Sequence, residues 1–358
     1  MPLPDRVRLV LLFGGRSAEH EVSCTTAAHV LAAIDHGRYE TLPVGITKTG
    51  EWLRADDAIS ALQAGAKSLP DHLEAVGTAI EPLPAMQPER ADVPVVVLPL
   101  LHGPYGEDGT VQGMLELANV PYVGTGVLGS SMSMDKAAAK ELLSAHGIPQ
   151  CAWEAARVHE IDESFIGHAA DRLGLPLFVK PANMGSSIGV SKVSTADEIR
   201  SAVDEAARFD DWIVFEETVV GRELECAVLG NDNPRASVVG EVRPGADFYD
   251  YDDKYADGAE LLIPAPLPQP VSDELRELAL RTFRALRCEG MARVDFFWEE
   301  DGRGALVNEV NTIPGFTPIS QYPRLWEASG LPYAKLIDEL VALALERHQR
   351  RSRFSTDR

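Results

Sequence analysis

The chain has 358 residues, 45% of them hydrophobic and 25% charged, an ordinary globular balance with room for two or three domains. A formal charge of −22 argues against a nucleic-acid or anionic-membrane footprint. Cys24, Cys151, Cys226 and Cys288 are scattered with no CxxC pair, so reduced thiols in a cytoplasmic protein are expected rather than a disulfide frame or a zinc site. No stretch approaches the roughly 18 consecutive apolar residues of a membrane helix.

Arg8 to Phe13 reads as a buried strand, followed by Gly14-Gly15-Arg16-Ser17 and a helix from about Ser23 to Ile34. Strand, Gly-rich turn and helix N-terminus together suit an anion or small ligand in an α/β domain. The GxGxxG spacing of a dinucleotide site is absent. The apolar run is also short for a secretory leader. Glu21 is placed just ahead of the helix. Tyr39 to Thr47 and the nearly all-apolar Pro94 to Leu101 are further strands, the latter in the style of a parallel sheet. Loops after such strands bind ligands, which makes His102 and Glu107 in LHGPYGEDGT candidates. Val120 to Gly126 reads as a short strand and linker. A helix begins after the capping Asp135, with Lys136 against the dipole trend in its first turn.

Leu175 to Lys180 is a strand ending in Lys-Pro, followed by a Gly-Ser-Ser-x-Gly loop carrying Ser186 and Ser187. Backbone N–H groups and hydroxyls of such a loop can cover phosphates. Ile213 to Glu216 is a strand, and Glu223 and Glu225 share one face of the segment after Gly221. The stretch 247–255, DFYDYDDKY, has no amphipathic period and reads as a lid-like loop. Amphipathic helices follow over Ser272 to Cys288 and Tyr333 to Arg347.

Met291 to Ser320 is the segment richest in chemistry. It reads as a hairpin, Met291–Trp298 against Ala305–Asn311, running into a Pro-Gly turn. Side chains two apart share a strand face, so Arg293 pairs with Asp295 and Glu309 with Asn311. Should the two faces coincide, two carboxylates and an amide form a hard-oxygen set for Mg²⁺, and Arg293 is left for a developing negative charge.

Eight segments occur in one order: FGGRSAEHEVS, LHGPYGEDGTVQG, MDK, FVKPANMGSSIGVSKV, GRELECAVLG, YDYDDKY, ARVDFF and NEVNTIPGFTPIS. In this they resemble the ATP-grasp ligases, and among them the D-alanine–D-alanine ligases. The resemblance implies an α/β (α+β ATP-grasp) fold: an open parallel α/β domain over 1–125, then two ATP-grasp subdomains over 126–217 and 218–358 that sandwich ATP. It implies ATP- and Mg²⁺-dependent joining of two D-alanines for peptidoglycan precursor synthesis, two Mg²⁺ ions (or Mn²⁺), and a homodimer. Lys136, Lys180 and Lys254 would meet phosphates. Glu216 and the backbone through Glu217 and Val219 would read adenine, Glu223 the ribose, and the loop with Ser187 the γ-phosphate. Asp295, Glu309 and Asn311 would hold the metals. Glu21 would pair with the first D-alanine's ammonium, His102 would lie near its carboxylate, and Ser320 would take the second D-alanine's carboxylate. Arg293 and Gly315 would stabilise the oxyanion, and Glu21, Ser186 and Tyr255 would bridge the first domain to two loops. Gln321 stands where many relatives carry an apolar residue. A D-alanine–D-lactate ligase or a non-catalytic nucleotide-binding regulator are the competing functions; Tyr255 in the lid favours the dipeptide enzyme over the depsipeptide one.

Overall fold

The computed structural model describes residues 3–65, 68–88, 90, 92–243 and 260–355. Lys254 and Tyr255 therefore lie outside the described residues. Strands β1 (Val7–Gly14), β2 (Tyr39–Ile46), β3 (Trp52–Arg54), β4 (Thr78–Ala79) and β5 (Val95–Pro99) form a sheet in the order β4-β3-β2-β1-β5. The apolar strand β1 lies in the middle, parallel to both β2 and β5, while β3 and β4 add an antiparallel edge. Its helices are α1 (His20–Ala33), α2 (Asp56–Ala64), α3 (Pro82–Ala85) and α4 (Thr110–Leu117). Helix α1 starts three residues earlier than the sequence suggests, which draws Glu21 into its first turn. The strand expected over 120–126 is reduced to a single bridge between Val97 and Tyr122.

Two helices, α5 (Val127–Met134) and α6 (Lys136–Ala145), lead to the second sheet. The Asp135 side chain caps α6 by accepting the Ala138 N–H at 2.9 Å, as its position before the helix implies. The second sheet holds β6 (Trp153–Arg157), β7 (Leu177–Pro181), β8 (Ser191–Val193) and β9 (Trp212–Glu217), in the antiparallel order β6-β9-β7-β8. Helices α7 (Glu163–Leu173) and α8 (Ala196–Ala206) pack on it. Strand β6 is invisible in the sequence because WEAAR is rich in helix-favouring alanine; its pairing with β9 makes it extended.

The third sheet holds β10 (Arg222–Gly230), β11 (Arg235–Arg243), β12 (Glu260–Leu262), β13 (Gly290–Glu299) and β14 (Gly304–Asn311), in the order β12-β11-β10-β13-β14. Helix α9 (Gln269–Ala285) covers one face. Helices α10 (Gln321–Ala328) and α11 (Tyr333–Arg351) close the chain. One hydrophobic core joins Leu9, Leu11 and Phe13 of β1 to Phe316, Tyr322 and Leu340 at the chain's far end. Ile313 and Phe316 are both buried in it, and Tyr333 Oη donates to the Phe316 carbonyl at 2.6 Å. Pinned on either side, Pro314 and Gly315 are held at a cavity wall.

Candidate active site

A cavity of about 640 Å³ opens where the first sheet, the Gly-Ser loop and the β13–β14 hairpin meet. Among the candidates named from the sequence, His102, Glu107, Lys136, Ser186, Arg293, Glu309, Asn311, Gly315 and Ser320 line it. Another cavity, about 700 Å³ beside Arg287 and Cys288, shares no lining residue with it and holds none of this chemistry.

The hairpin register settles the open question about its faces. Arg293 lies opposite Asn311 and Asp295 opposite Glu309, so all four project from one face. Arg293 grips Asp295 with two parallel bonds, Nε to Oδ1 and Nη2 to Oδ2, each 2.7 Å, and reaches Glu225 at 3.2 Å. Burial alone would weaken the guanidinium's hold on its proton, but Asp295 and Glu225 keep it charged far beyond the usual arginine range. Asn311 Nδ2 donates to Asp295 at 2.9 Å, and Lys136 Nζ lies 3.9 Å from Glu309. Among the described residues, three carboxylates thus face two cations. Among the described residues no three His, Cys, Asp or Glu side chains converge as a metal group. The patch instead offers two carboxylates and an amide, a hard-oxygen donor set that fits Mg²⁺ when phosphate oxygens complete the shell.

The phosphate-loop candidate is tethered at its base. Lys136 Nζ donates to the Met184 carbonyl at 2.6 Å, and Asn183 bonds both Asp135 and Asp210. Ser186 and Ser187 are left-handed, with φ of 50° and 57°. Ser186 Oγ donates to a glutamate of the first sheet's loop at 2.7 Å, but that glutamate is Glu19, not Glu21. Glu21 is exposed and points away, toward Lys48 Nζ at 2.7 Å and His72 at 3.3 Å. Because α1 begins at His20, two residues of helix turn Glu21 roughly 200° away from Glu19. The bridge anticipated for Glu21 therefore belongs to Glu19, the residue the sequence reasoning missed. Glu19 immediately precedes the helix only once its start is known to be His20.

Glu107 and His102 act together. His102 Nδ1 donates to the Ile313 carbonyl at 3.0 Å, while Glu107 accepts the Ile313 N–H at 3.2 Å and the Gly103 N–H at 2.7 Å. The peptide before Pro314 is thus clamped from both sides by the first sheet's loop. His102 Nε2 is buried at the cavity with no partner among the described residues. Burial and the nearby Glu19 carboxylate push Glu107 up to about 8, against the pull of its two N–H donors. A Cβ on Gly315 would come within 3.2 Å of Ser320 Oγ, so a side chain there would press on the serine hydroxyl. Ser320 stands at the N-cap of α10, its hydroxyl bonded to Thr317 at 2.7 Å, and Gln321 beside it is buried against the cavity.

The remaining assignments sit beyond this cavity. Lys180 is paired with Glu216 at 2.5 Å. Glu217 is committed to structure: its N–H bonds the Ala152 carbonyl, and its carboxylate accepts the Ala152 N–H at 2.6 Å and meets Arg303. The Glu217 N–H and Oε1 are thus both engaged within the protein. Val219, just past the strand end, makes no backbone hydrogen bond among the described residues. Glu223 shares the face of Glu225, opposite Phe297 and Asp295 respectively, two residues further along β10 from Arg293's patch.

A small-stranded antiparallel sheet carrying a Gly-Ser loop, set beside a second antiparallel sheet with a carboxylate–arginine face, defines an ATP-grasp fold. Residues 8–125 match the family model for the D-ala D-ala ligase N-terminus, and residues 142–342 that for the D-ala D-ala ligase C-terminus. The chain belongs to the D-alanine–D-alanine ligase family. It is 42% identical to the D-alanine--D-alanine ligase of Natranaerobius thermophilus, with 98% of each chain covered. It is also similar to the solved D-alanine-D-alanine ligase of Coxiella burnetii (TM-score 0.82, 35% identity, 98% of this chain and 97% of that one). The VanG D-Ala:D-Ser ligase of Enterococcus faecalis matches with a TM-score of 0.80 and 34% identity, covering 95% of this chain and 99% of that one.

Proposed function

We propose that this enzyme joins two D-alanines to D-alanyl-D-alanine for peptidoglycan precursor synthesis, converting ATP to ADP and phosphate. The observation that carries it is the meeting of three features in one cavity: the Arg293–Asp295–Glu309–Asn311 face, the Glu19–Ser186 bridge and the α10 N-terminus. A carboxylate is a poor electrophile, so amide formation needs activation. The first D-alanine's carboxylate attacks the γ-phosphate, releasing ADP and leaving an acyl phosphate. The second D-alanine's amine attacks the acyl carbon, phosphate leaves, and the amine loses a proton. Phosphoryl transfer asks the protein mainly for positioning and charge neutralisation.

Lys136 and Lys180 suit the phosphates, with Lys254 from the stretch outside the described residues. Glu216, the backbone at Val219, and Glu223 suit the nucleoside, and Ser187 the γ-phosphate. Asp295, Glu309 and Asn311 would hold Mg²⁺, or Mn²⁺, which supplies charge neutralisation to the phosphates when bound. Glu19 takes the role first given to Glu21, pairing with the first substrate's ammonium, and the orphaned His102 Nε2 suits that substrate's carboxylate. The free N–H groups at the start of α10, with Ser320, suit the second carboxylate. Arg293 and the Gly315 N–H face the acyl oxyanion. The four buried free cysteines accord with a reducing cytoplasm. Three domains, divided near 125 and 217, and a homodimer belong to the same proposal and rest on the family resemblance.

The test is ADP release with D-alanine alone and with D-serine or D-lactate added. Release with D-alanine alone, together with a D-alanyl-D-alanine product, is expected. ADP formed only when D-serine or D-lactate is present would overturn the dipeptide assignment, and no amino-acid-dependent ADP would overturn the enzyme itself.

A further inference from the structure

Buried behind the Lys180–Glu216 pair is a second lysine that no sequence motif singled out. Lys140 lies one helical turn beyond Lys136 on α6, the same face of the helix. It is only 1% exposed, and its Nζ lies 2.9 Å from Glu216 Oε1 and 3.5 Å from the Cys151 thiol. Glu216, itself 4% exposed, gives its other oxygen, Oε2, to Lys180 at 2.5 Å. Burial would push Glu216 up, but the two ammoniums hold it down at about 2. Burial likewise works against the Lys140 ammonium, and Glu216 together with Cys151 more than offsets it. The Cys151 thiol, the remaining titratable neighbour, is kept neutral chiefly by burial and the Glu216 charge.

The two cations are not equivalent. The Lys180 side chain keeps 12% of its exposure and that of Lys140 2%, so Lys180 is the one with a way out. Two ammoniums against one carboxylate also leave an excess positive charge, which a phosphate would neutralise. We propose that Lys140 is a positioning residue, the standing counter-ion of Glu216, which lets Lys180 pass from Glu216 to the nucleotide's phosphates. The proposal rests on the nucleotide assignment of Lys180 and Glu216 made above. Once Lys180 leaves, Glu216 Oε2 is open to a donor on the base, while Oε1 stays paired. Without Lys140, releasing Lys180 would strand a buried carboxylate with no partner, which a protein interior penalises heavily.

Lys140→Met leaves Glu216 and Lys180 as a neutral pair, so the chain is expected to fold. Its KM for ATP should rise by roughly tenfold or more, with kcat at saturating ATP within about threefold of the parent. Lys140→Gln, which keeps a donor toward Oε1 without the charge, should give a smaller rise in the same constant and serves should the methionine variant not fold. In a Glu216→Gln background, Lys140→Met should raise KM no further. An unchanged KM for ATP in both lysine variants overturns the proposal. So does a fall in kcat alone, or a KM rise of equal size in the Glu216→Gln background, each of which marks a role independent of Glu216. Lys180→Met separates the two levels: if it leaves the KM for ATP unchanged, the nucleotide assignment itself fails, whereas a rise there with none for Lys140→Met removes only the role of Lys140.

Discussion

Replacing Arg293 with methionine tests the centre of the site, because this side chain has a structural task beside the proposed chemical one. It makes two bonds of 2.7 Å to Asp295 and a contact of 3.2 Å to Glu225, with 17% of its side chain exposed. Methionine fills much of the volume but takes the guanidinium away from Asp295 and Glu225, themselves 13% and 6% exposed. Breaking a buried pair by removing one partner typically costs about 3–5 kcal/mol. For a chain of 358 residues, with an unfolding entropy of about 0.75 kcal/mol/K, that is a fall in Tm of roughly 4–7 °C. The uncovered carboxylates should attract Mg²⁺ more strongly, and saturating the site to about 100 times its Kd would return about 2.7 kcal/mol. Turnover should not return with it. An oxyanion donor is worth ~10²–10³ in rate, and on the proposed role an ion held at the phosphates does not replace the guanidinium at the acyl oxygen. The assays are thermal unfolding with and without Mg²⁺, nucleotide binding, and ADP release coupled to dipeptide formation. Stability lost and largely restored by Mg²⁺, nucleotide binding retained, and turnover down at least a hundredfold would accord with the geometry. A folded variant turning over within a few-fold of the parent would refute the oxyanion role.

Two further outcomes are expected. Glu19→Gln should lower kcat/KM for the first amino acid by roughly 10–10²-fold, since it weakens a charge-assisted contact, while Glu21→Gln, exposed and paired only at the surface, should stay within about twofold; the opposite ranking in steady-state assays would return the role to Glu21. Glu107 holds its proton to about 8 in the folded chain, well above an unfolded glutamate. Folding therefore takes up a proton between about pH 4.5 and 8, and stability falls as pH rises across that window, by on the order of 5 kcal/mol from this residue. Glu107→Gln should flatten that decline relative to the parent when Tm is measured at pH 5, 6.5 and 8; parallel curves would show that Glu107 does not titrate there.

The sequence by itself determined strands β1, β2, β5, β7, β9, β13 and β14, the capped start of α6 and the residue types at the cavity. These are local matters: a two-residue period decides which side chains share a strand face, and Asp135 before a helix decides where it begins. It also placed Arg293 beside Asp295 and Glu309 beside Asn311. Whether the two pairs met was a question of register, which the pairing of β13 with β14 answered. Glu19 and Glu21 could not be told apart in the sequence, because both precede or begin a helix whose start was misplaced by three residues, and the helical turn carries one to Ser186 and the other to Lys48. The clamp on Ile313 joins residues more than two hundred positions apart, and Lys140 becomes informative only when β9 sets Glu216 against it. Periodicity and capping act within one element, so they reveal what each element offers. Which offers converge depends on long-range packing, and for this site that packing is the shared core between β1 and the chain's last helices.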